Sequence, residues 1–210
     1  MTHGDDRGLR LPPRVAPQQV VIVPILREDE TADVLDAAAA LADELREAGV
    51  RVRVDDRPEH RPGFKFNEWE LKGVPIRVEI GSRDLAAGAV TVARRDTGDK
   101  EQLPIPRAAL AIDELLRAVQ ASLFQDASDE RERRTLHDPS SYAEMIEYLR
   151  EAGGFVVAPW CGGSECETRV KEDSAATIRC LPLGDEPAPS GVCICCGRPA
   201  VTEAVWAPAY

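Results

Sequence analysis

The 210-residue sequence predicts an α/β protein in two parts: a domain with a mixed sheet flanked by helices, then a small α/β domain. Three observations carry this. Short apolar runs with the period of strands alternate with apolar stripes at helical spacing over residues 18–128. A polar stretch near residue 130 interrupts that pattern. All six cysteines (Cys161, Cys166, Cys180, Cys193, Cys195 and Cys196) lie beyond residue 160, so the second part carries a device that the first lacks.

The elements follow in order. Val20-Val21-Ile22-Val23-Pro24-Ile25 is a continuous apolar run, as for a buried strand. After Thr31, Val34, Leu35, Ala38, Leu41, Ala42 and Leu45 recur at helical spacing, and Gly49 stands at the stop. Val50, Val52 and Val54 alternate with charged residues as in a half-buried strand. Residues 74–80 and 89–93 add two further strands. From about residue 106, Leu110, Leu115, Leu116, Val119 and Leu123 mark a second long helix. Residues 125–138 read as a polar connector, helical or extended. Ser141 with Glu144 makes a capping-box pattern before a third helix, and residues 155–160 form a strand that runs into Cys161. Thr177-Ile-Arg-Cys-Leu181 alternates like a strand, which makes Cys180 a core thiol.

Composition narrows the function classes. There are 37 acidic against 26 basic groups, a net charge of −11, which excludes a general polyanion binder with a basic coat. The charge is uneven, however: residues 51–100 hold 11 Lys/Arg and 9 Asp/Glu, so a local basic groove is compatible with it. No run reaches the ~18–20 apolar residues of a membrane span, and Met1-Thr2-His3-Gly4-Asp5-Asp6 is polar where an export signal is apolar. A soluble cytoplasmic protein with no membrane partner is expected.

Cys161-Gly-Gly-Ser-Glu-Cys166 is C-x4-C and Cys193-Ile-Cys-Cys196 is C-x2-C, with 26 residues between the pairs. Two such knuckles can bring four thiolates around a structural Zn(II) with no open coordination position. Gly162-Gly163 and Gly197 supply the turns. Cys195 competes with Cys196 for the fourth place, and a disulfide pair or ordinary buried thiols are the alternatives to a metal.

The most informative stretch of the first domain is the loop Arg57 to Gly73. Phe64, Phe66 and Trp69 put three of the ten aromatics within six residues, interleaved with Lys65, Glu68, Glu70 and Lys72. Unstacked RNA bases need such planes to lie on and such charges to read their edges. The other reading is that the aromatics are the buried face of a short helix.

Pro62-Gly-Phe-Lys-Phe-Asn-Glu-Trp-Glu-Leu-Lys-Gly-Val-Pro-Ile-Arg-Val-Glu-Ile-Gly81, Arg83-Asp84-Leu85, the C-x4-C/C-x2-C tail and Tyr210 together resemble prolyl-tRNA synthetase. The form resembled is the archaeal/eukaryotic type with a carboxy-terminal zinc domain. Thr2-His-Gly-Asp-Asp-Arg-Gly-Leu9 is similar to the third class II signature motif, which implies that Arg7 contacts ATP. The other reading of this segment is a disordered leader. The resemblance implies three segments: residues 1–17 from the catalytic domain and linker, 18–128 as an anticodon-binding domain, and 129–210 as a zinc-binding domain.

It also implies site residues. Phe66 packs on an anticodon base, Glu70, Arg77 and Asp84 contact the two guanines of proline anticodons, and Arg83 and Lys100 assist. Cys161, Cys166, Cys193 and Cys196 hold Zn(II), and the Tyr210 carboxylate reaches towards the active site. The full enzyme uses ATP with Mg(II) to join proline to its tRNA and acts as a homodimer. Without the first two class II motifs this chain is expected to recognise the anticodon stem-loop, to be inactive alone and to be monomeric. The alternatives are a free-standing synthetase-derived RNA-binding or regulatory module, and a structural zinc fold with no RNA partner.

Overall fold

Four consecutive apolar residues at 20–23 can all be buried only in a strand covered on both faces, and that is where they lie. The computed structural model describes residues 3–26, 31–151, 153–183 and 191–208. The chain divides into two units, residues 1–127 and 128–210.

The first unit begins with a hairpin, β1 (Gly4–Asp5) and β2 (Gly8–Leu9). It continues with β3 (Val20–Ile25), α1 (Thr31–Glu47), β4 (Val52–Val54), α2 (Pro62–Leu71) and β5 (Ile76–Gly81). The short α3 (Ser82–Ala86), β6 (Ala89–Arg94), β7 (Lys100–Pro104) and the long α4 (Ala108–Arg133) complete it. The sheet order is β4-β3-β5-β6-β7, with β3 parallel to β4 and β5, and the β5–β6 and β6–β7 pairs antiparallel. A mixed sheet flanked by helices is thus the observed architecture.

Strand alternation sorts the residues between two faces. Val20, Ile22, Ile76, Val78, Ile80, Val90 and Val92 join Val34, Leu41 and Leu45 of α1 and Ile112 and Leu116 of α4 in the main core. Val21 and Val23 point the other way, into a smaller cluster with Trp69 and Val74. The same period therefore puts Arg77 and Glu79 on the α2 side of the sheet.

Several expectations need correction here. The stretch Arg57 to Gly73 is not a loop, because residues 62–71 form α2. It is not a buried aromatic face either: Trp69 is buried, whereas Phe64 is 54% exposed and stacks on His60. The stripe of α4 is Ile112, Leu116, Val119 and Leu123, while Leu110 faces outward. Of the two readings of residues 125–138, helical or extended, the helical one holds as far as Arg133, where α4 ends; β7 was not anticipated.

Residues 3–17 are no loose leader. The Arg10 amide donates to the His3 carbonyl at 3.0 Å and the Leu11 amide to the Gly73 carbonyl at 3.2 Å. Gly8, at φ +120°, lies so close to α2 that a Cβ would stand 2.6 Å from Leu71 Cα. A Cβ on Gly73, at φ +71°, would meet the Leu9 backbone at the same distance. Two glycines thus let the hairpin seat directly on the end of α2.

The second unit contains β8 (Thr135–His137), α5 (Tyr142–Glu151), β9 (Phe155–Trp160), α6 (Ser164–Ser174), β10 (Ala176–Cys180) and β11 (Thr202–Pro208). Its sheet order is β10-β11-β9-β8, mixed like the first. Met145, Leu149, Val156, Val170 and Trp206 lead its core. The start of α5 shares its capping between two serines: the Glu144 amide donates to Ser141 Oγ at 3.2 Å, but the Glu144 carboxylate accepts from the Ser140 amide at 2.7 Å. Cys180, expected in the core, is exposed at the end of β10.

Candidate nucleic-acid interface and metal centre

The register of the first sheet assembles one site. Arg77 on β5 pairs with Ala93 on β6, and Ala93 pairs with Lys100 on β7. The methyl of Ala93 leaves room for the two long cations to meet above it. Both reach Glu79 Oε1, Arg77 from its Nη2 at 2.9 Å and Lys100 from its Nζ at 2.9 Å. The Arg77 guanidinium carbon lies 4.3 Å from the Phe66 ring centroid, close enough for a cation–π contact. Glu70 follows Phe66 by one helical turn on α2, so both face the same side. A cleft of about 210 Å³ results, lined by Glu70, Arg77 and Lys100 together with Trp69, Arg94 and Arg95.

Arg7, which the resemblance assigns to ATP, is placed in this cleft as well. Its Nη1 is 3.1 Å from Glu70 Oε1. The hairpin that carries it is pinned by Asp5, which accepts two hydrogen bonds from Arg95 at 2.9 and 2.6 Å. Those bonds hold the Asp5 carboxyl well below the usual carboxylate range, against a smaller opposing effect of burial.

A buried ionic knot aims α2. Asp55, just past β4, is 1% exposed and accepts from Arg57 at 2.8 Å and from Trp69 Nε1 at 2.7 Å. Lys65 is also buried and donates to the Asp55 carbonyl at 2.9 Å, so this lysine faces the core rather than a base. Glu68 joins through Arg57 at 2.6 Å. Burial opposes the charge on Asp55, but the Arg57 and Trp69 hydrogen bonds outweigh it and leave the carboxyl acidic. The knot fixes the rotation of α2, and with it the direction of Phe66 and Glu70.

Arg83 and Asp84 are not brought into the cleft. Both sit on α3, where Asp84 accepts from the Gly81 amide at 3.0 Å and from Thr91 Oγ1 at 3.3 Å. Thr91 is the register partner of Glu79, so Asp84 stands one sheet row from the cleft. Arg83 is exposed. Glu79 and Asp55 escaped the sequence reading. Glu79 had a signal, since it shares the strand face of Arg77; Asp55 had only the nearby Arg57, because Trp69 lies fourteen residues away on α2.

The second unit holds the other site. Cys161 follows β9, Cys166 lies in the first turn of α6, and Cys193 and Cys196 flank a turn ahead of β11. Their Sγ atoms all lie within 4.8 Å of one another. Nearest separations are 3.7 Å for Cys161–Cys166, 3.9 Å for Cys166–Cys193 and 3.7 Å for Cys161–Cys196. Four thiolates around a tetrahedral ion with bonds of about 2.3 Å stand about 3.8 Å apart, so the set can hold a metal ion. All six cysteines are free thiols. Gly162 and Gly197, at φ +76° and +72°, make the two turns, and Trp160 Nε1 donates to the Gly163 carbonyl at 3.3 Å. Arg198 donates to Cys196 Sγ at 3.4 Å and lowers that thiol to about 6, while burial pushes Cys166 and Cys193 up. Tyr210 lies outside the described residues. Among the described residues no helix is long and apolar enough to cross a membrane.

Comparison with known proteins adds names to this geometry. A family model described as the anticodon binding domain matches residues 19–120, and one described as prolyl-tRNA synthetase, C-terminal, matches residues 142–210. Proline–tRNA ligase of Cenarchaeum symbiosum is 47% identical over 211 residues, covering 100% of this chain and 43% of that protein. The enzymes of that name from Rubrobacter xylanophilus and Lachnospira eligens are 47% and 43% identical, again over 100% of this chain and 43% of theirs. The chain thus spans less than half the length of the curated relatives it matches. Anticodon-binding and carboxy-terminal matches in sequence, with full-length coverage at this identity, mean that the chain belongs to the prolyl-tRNA synthetase family and corresponds to its carboxy-terminal part.

Proposed function

We propose that this chain reads the anticodon of proline tRNA and is the recognition part of an enzyme that attaches proline to that tRNA with ATP. The observation that carries the reading is Phe66 beneath Arg77, with Glu70 one turn away on the same helix face. An unstacked base needs a plane, and Phe66 offers one. Guanine presents N1–H and N2–H donors that suit Glu70, while its O6 and N7 accept from Arg77. Glu79 keeps Arg77 and Lys100 together at the mouth, and Lys100 is 51% exposed, as suits a phosphate contact. Asp84 on α3, with Arg83 beside it, serves the second guanine in this reading.

The four thiols suit zinc, which when bound in a closed four-thiolate site supplies folding energy rather than chemistry. Cys161, Cys166, Cys193 and Cys196 would hold it and tie the end of β9 to the turn before β11. Proline, ATP with Mg(II), and dimerisation belong in this reading to the remainder of the enzyme, working in the cytoplasm.

The test is binding of this chain to proline tRNA, compared with the same tRNA whose anticodon guanines are replaced, at one fixed salt concentration. Each lost guanine contact is expected to cost about 1–3 kcal/mol, roughly 5- to 150-fold. Glu70→Ala and Arg77→Ala should erase the preference. Equal binding to both tRNAs by the unsubstituted chain would remove the anticodon reading.

A further inference from the structure

Arg7 is the most exposed of the five cations that line the cleft, at 57%. The others are committed: Arg95 to Asp5, Arg94 to Asp96, and Arg77 and Lys100 to the single oxygen of Glu79. In these ion pairs five cations share four carboxylates, and Glu70 is the partner of Arg7. A guanidinium offers neighbouring N–H donors to a carboxylate, as the N1–H/N2–H edge of guanine does. In the free protein, Arg7 therefore occupies the acceptor that a guanine would take.

We propose that Arg7 is a backbone contact for RNA, released from Glu70 by the incoming guanine and passed to a neighbouring phosphate. The inference rests on the anticodon reading of the cleft. Guanine is neutral, so it takes the hydrogen-bonding capacity of Glu70 without replacing the cation that was there. Arg7 is then left without its acceptor beside Arg77, Arg94, Arg95 and Lys100, whose paired carboxylates are already engaged, and an RNA phosphate is the anion at hand. The hairpin makes this placement dependable. Asp5 and Arg95 clamp its first strand, and the glycine contacts at residues 8 and 73 seat its second on α2. Only the Arg7 side chain has to turn.

The experiment is a salt series of binding to proline tRNA and to its guanine-replaced counterpart, with the unsubstituted chain, R7Q and R7K. A phosphate contact made once guanine takes Glu70 predicts that R7Q weakens the unaltered proline tRNA about fivefold near 0.1 M salt, flattens its log–log salt slope by about 0.7, and leaves the guanine-replaced tRNA nearly unchanged. R7K keeps the charge and should restore the slope. The guanine preference should narrow by that factor in R7Q but survive, because Glu70 remains; equal weakening of both tRNAs would overturn the release from Glu70. If the unsubstituted chain prefers guanine but R7Q binds as tightly as it does with an unchanged slope, Arg7 merely neutralises Glu70 and this inference is overturned alone. If the unsubstituted chain shows no guanine preference, the anticodon reading is overturned and this inference with it.

Discussion

The first unit and the second both cover a mixed sheet with helices, but they hold it together by different means. In the first, sixteen buried apolar residues among those described, from three strands, the β4 approach and two long helices, form one cluster. In the second, nine do so. A small unit with fewer buried side chains has less apolar stabilisation to set against chain entropy. It instead places four thiols where a metal can join the end of β9 to the segment before β11. The first unit has apolar stabilisation enough to bury charge, and Asp55, Lys65, Arg57 and Glu68 use it to aim one helix. Four thiols placed for a metal cross-link distinguish one unit; buried polarity orients α2 in the other.

Metal removal gives the largest expected effect. A four-thiolate zinc site carries about 10–16 kcal/mol of apparent binding energy, so a strong chelator should unfold much of the second unit and leave the first intact. Hydrogen exchange reads this directly: amides of β11 should lose protection while those of β5 keep it. Unchanged protection of β11 would break the comparison, because the smaller core would then suffice.

Next comes the buried knot. Asp55→Ala removes one partner from a buried ionic group and should cost about 3–5 kcal/mol, confined to the unfolding of the first unit. The Asp55 carboxyl is depressed in the folded state, so its stabilising contribution is complete above the unfolded value of about 3.9. That contribution drains away as the pH falls below this towards the folded value. The stability gap between the unsubstituted chain and Asp55→Ala should therefore narrow on acidification through this range. A gap that stays constant with pH would mean that the loss is one of packing, not of charge.

The smallest effect sharpens the role of the amino-terminal hairpin. Gly8→Ala forces a side chain at φ +120° against the Leu71 backbone at 2.6 Å. A cost of about 1–3 kcal/mol is expected, visible as lost exchange protection of the Arg10 amide, which donates to His3. If that amide stays protected, the hairpin is seated by Asp5–Arg95 and not by the glycine contact.

Legibility divided along the same lines. The strands at 20–25, 76–81 and 89–94 and the helix at 31–47 announce themselves because a one-sided or two-sided apolar pattern is a local property. The helix at 62–71 does not. Its apolar residues point in different directions, with Trp69 buried and Phe64 and Leu71 more than half exposed, so no stripe marks it. What holds it is Asp55, bound to Trp69 across another element. Lys65 shows the same lesson: a lysine between two phenylalanines reads as a base-facing charge, yet a buried carbonyl claims it. Cys180 errs in the opposite sense, since strand alternation does not say where a sheet ends.

By itself, the sequence determined the two-part α/β architecture, the family resemblance and the four cysteines that converge, since strand period, helix period and short knuckle spacings act over a few residues. Only the tertiary structure decided which charges meet. Arg77, Ala93 and Lys100 share a row through strand register, and Arg7 comes to Glu70 because two glycines let a hairpin lie against α2. The Glu79–Lys100, Arg7–Glu70 and Asp5–Arg95 meetings join residues 21, 63 and 90 positions apart, through backbone contacts that no local pattern encodes.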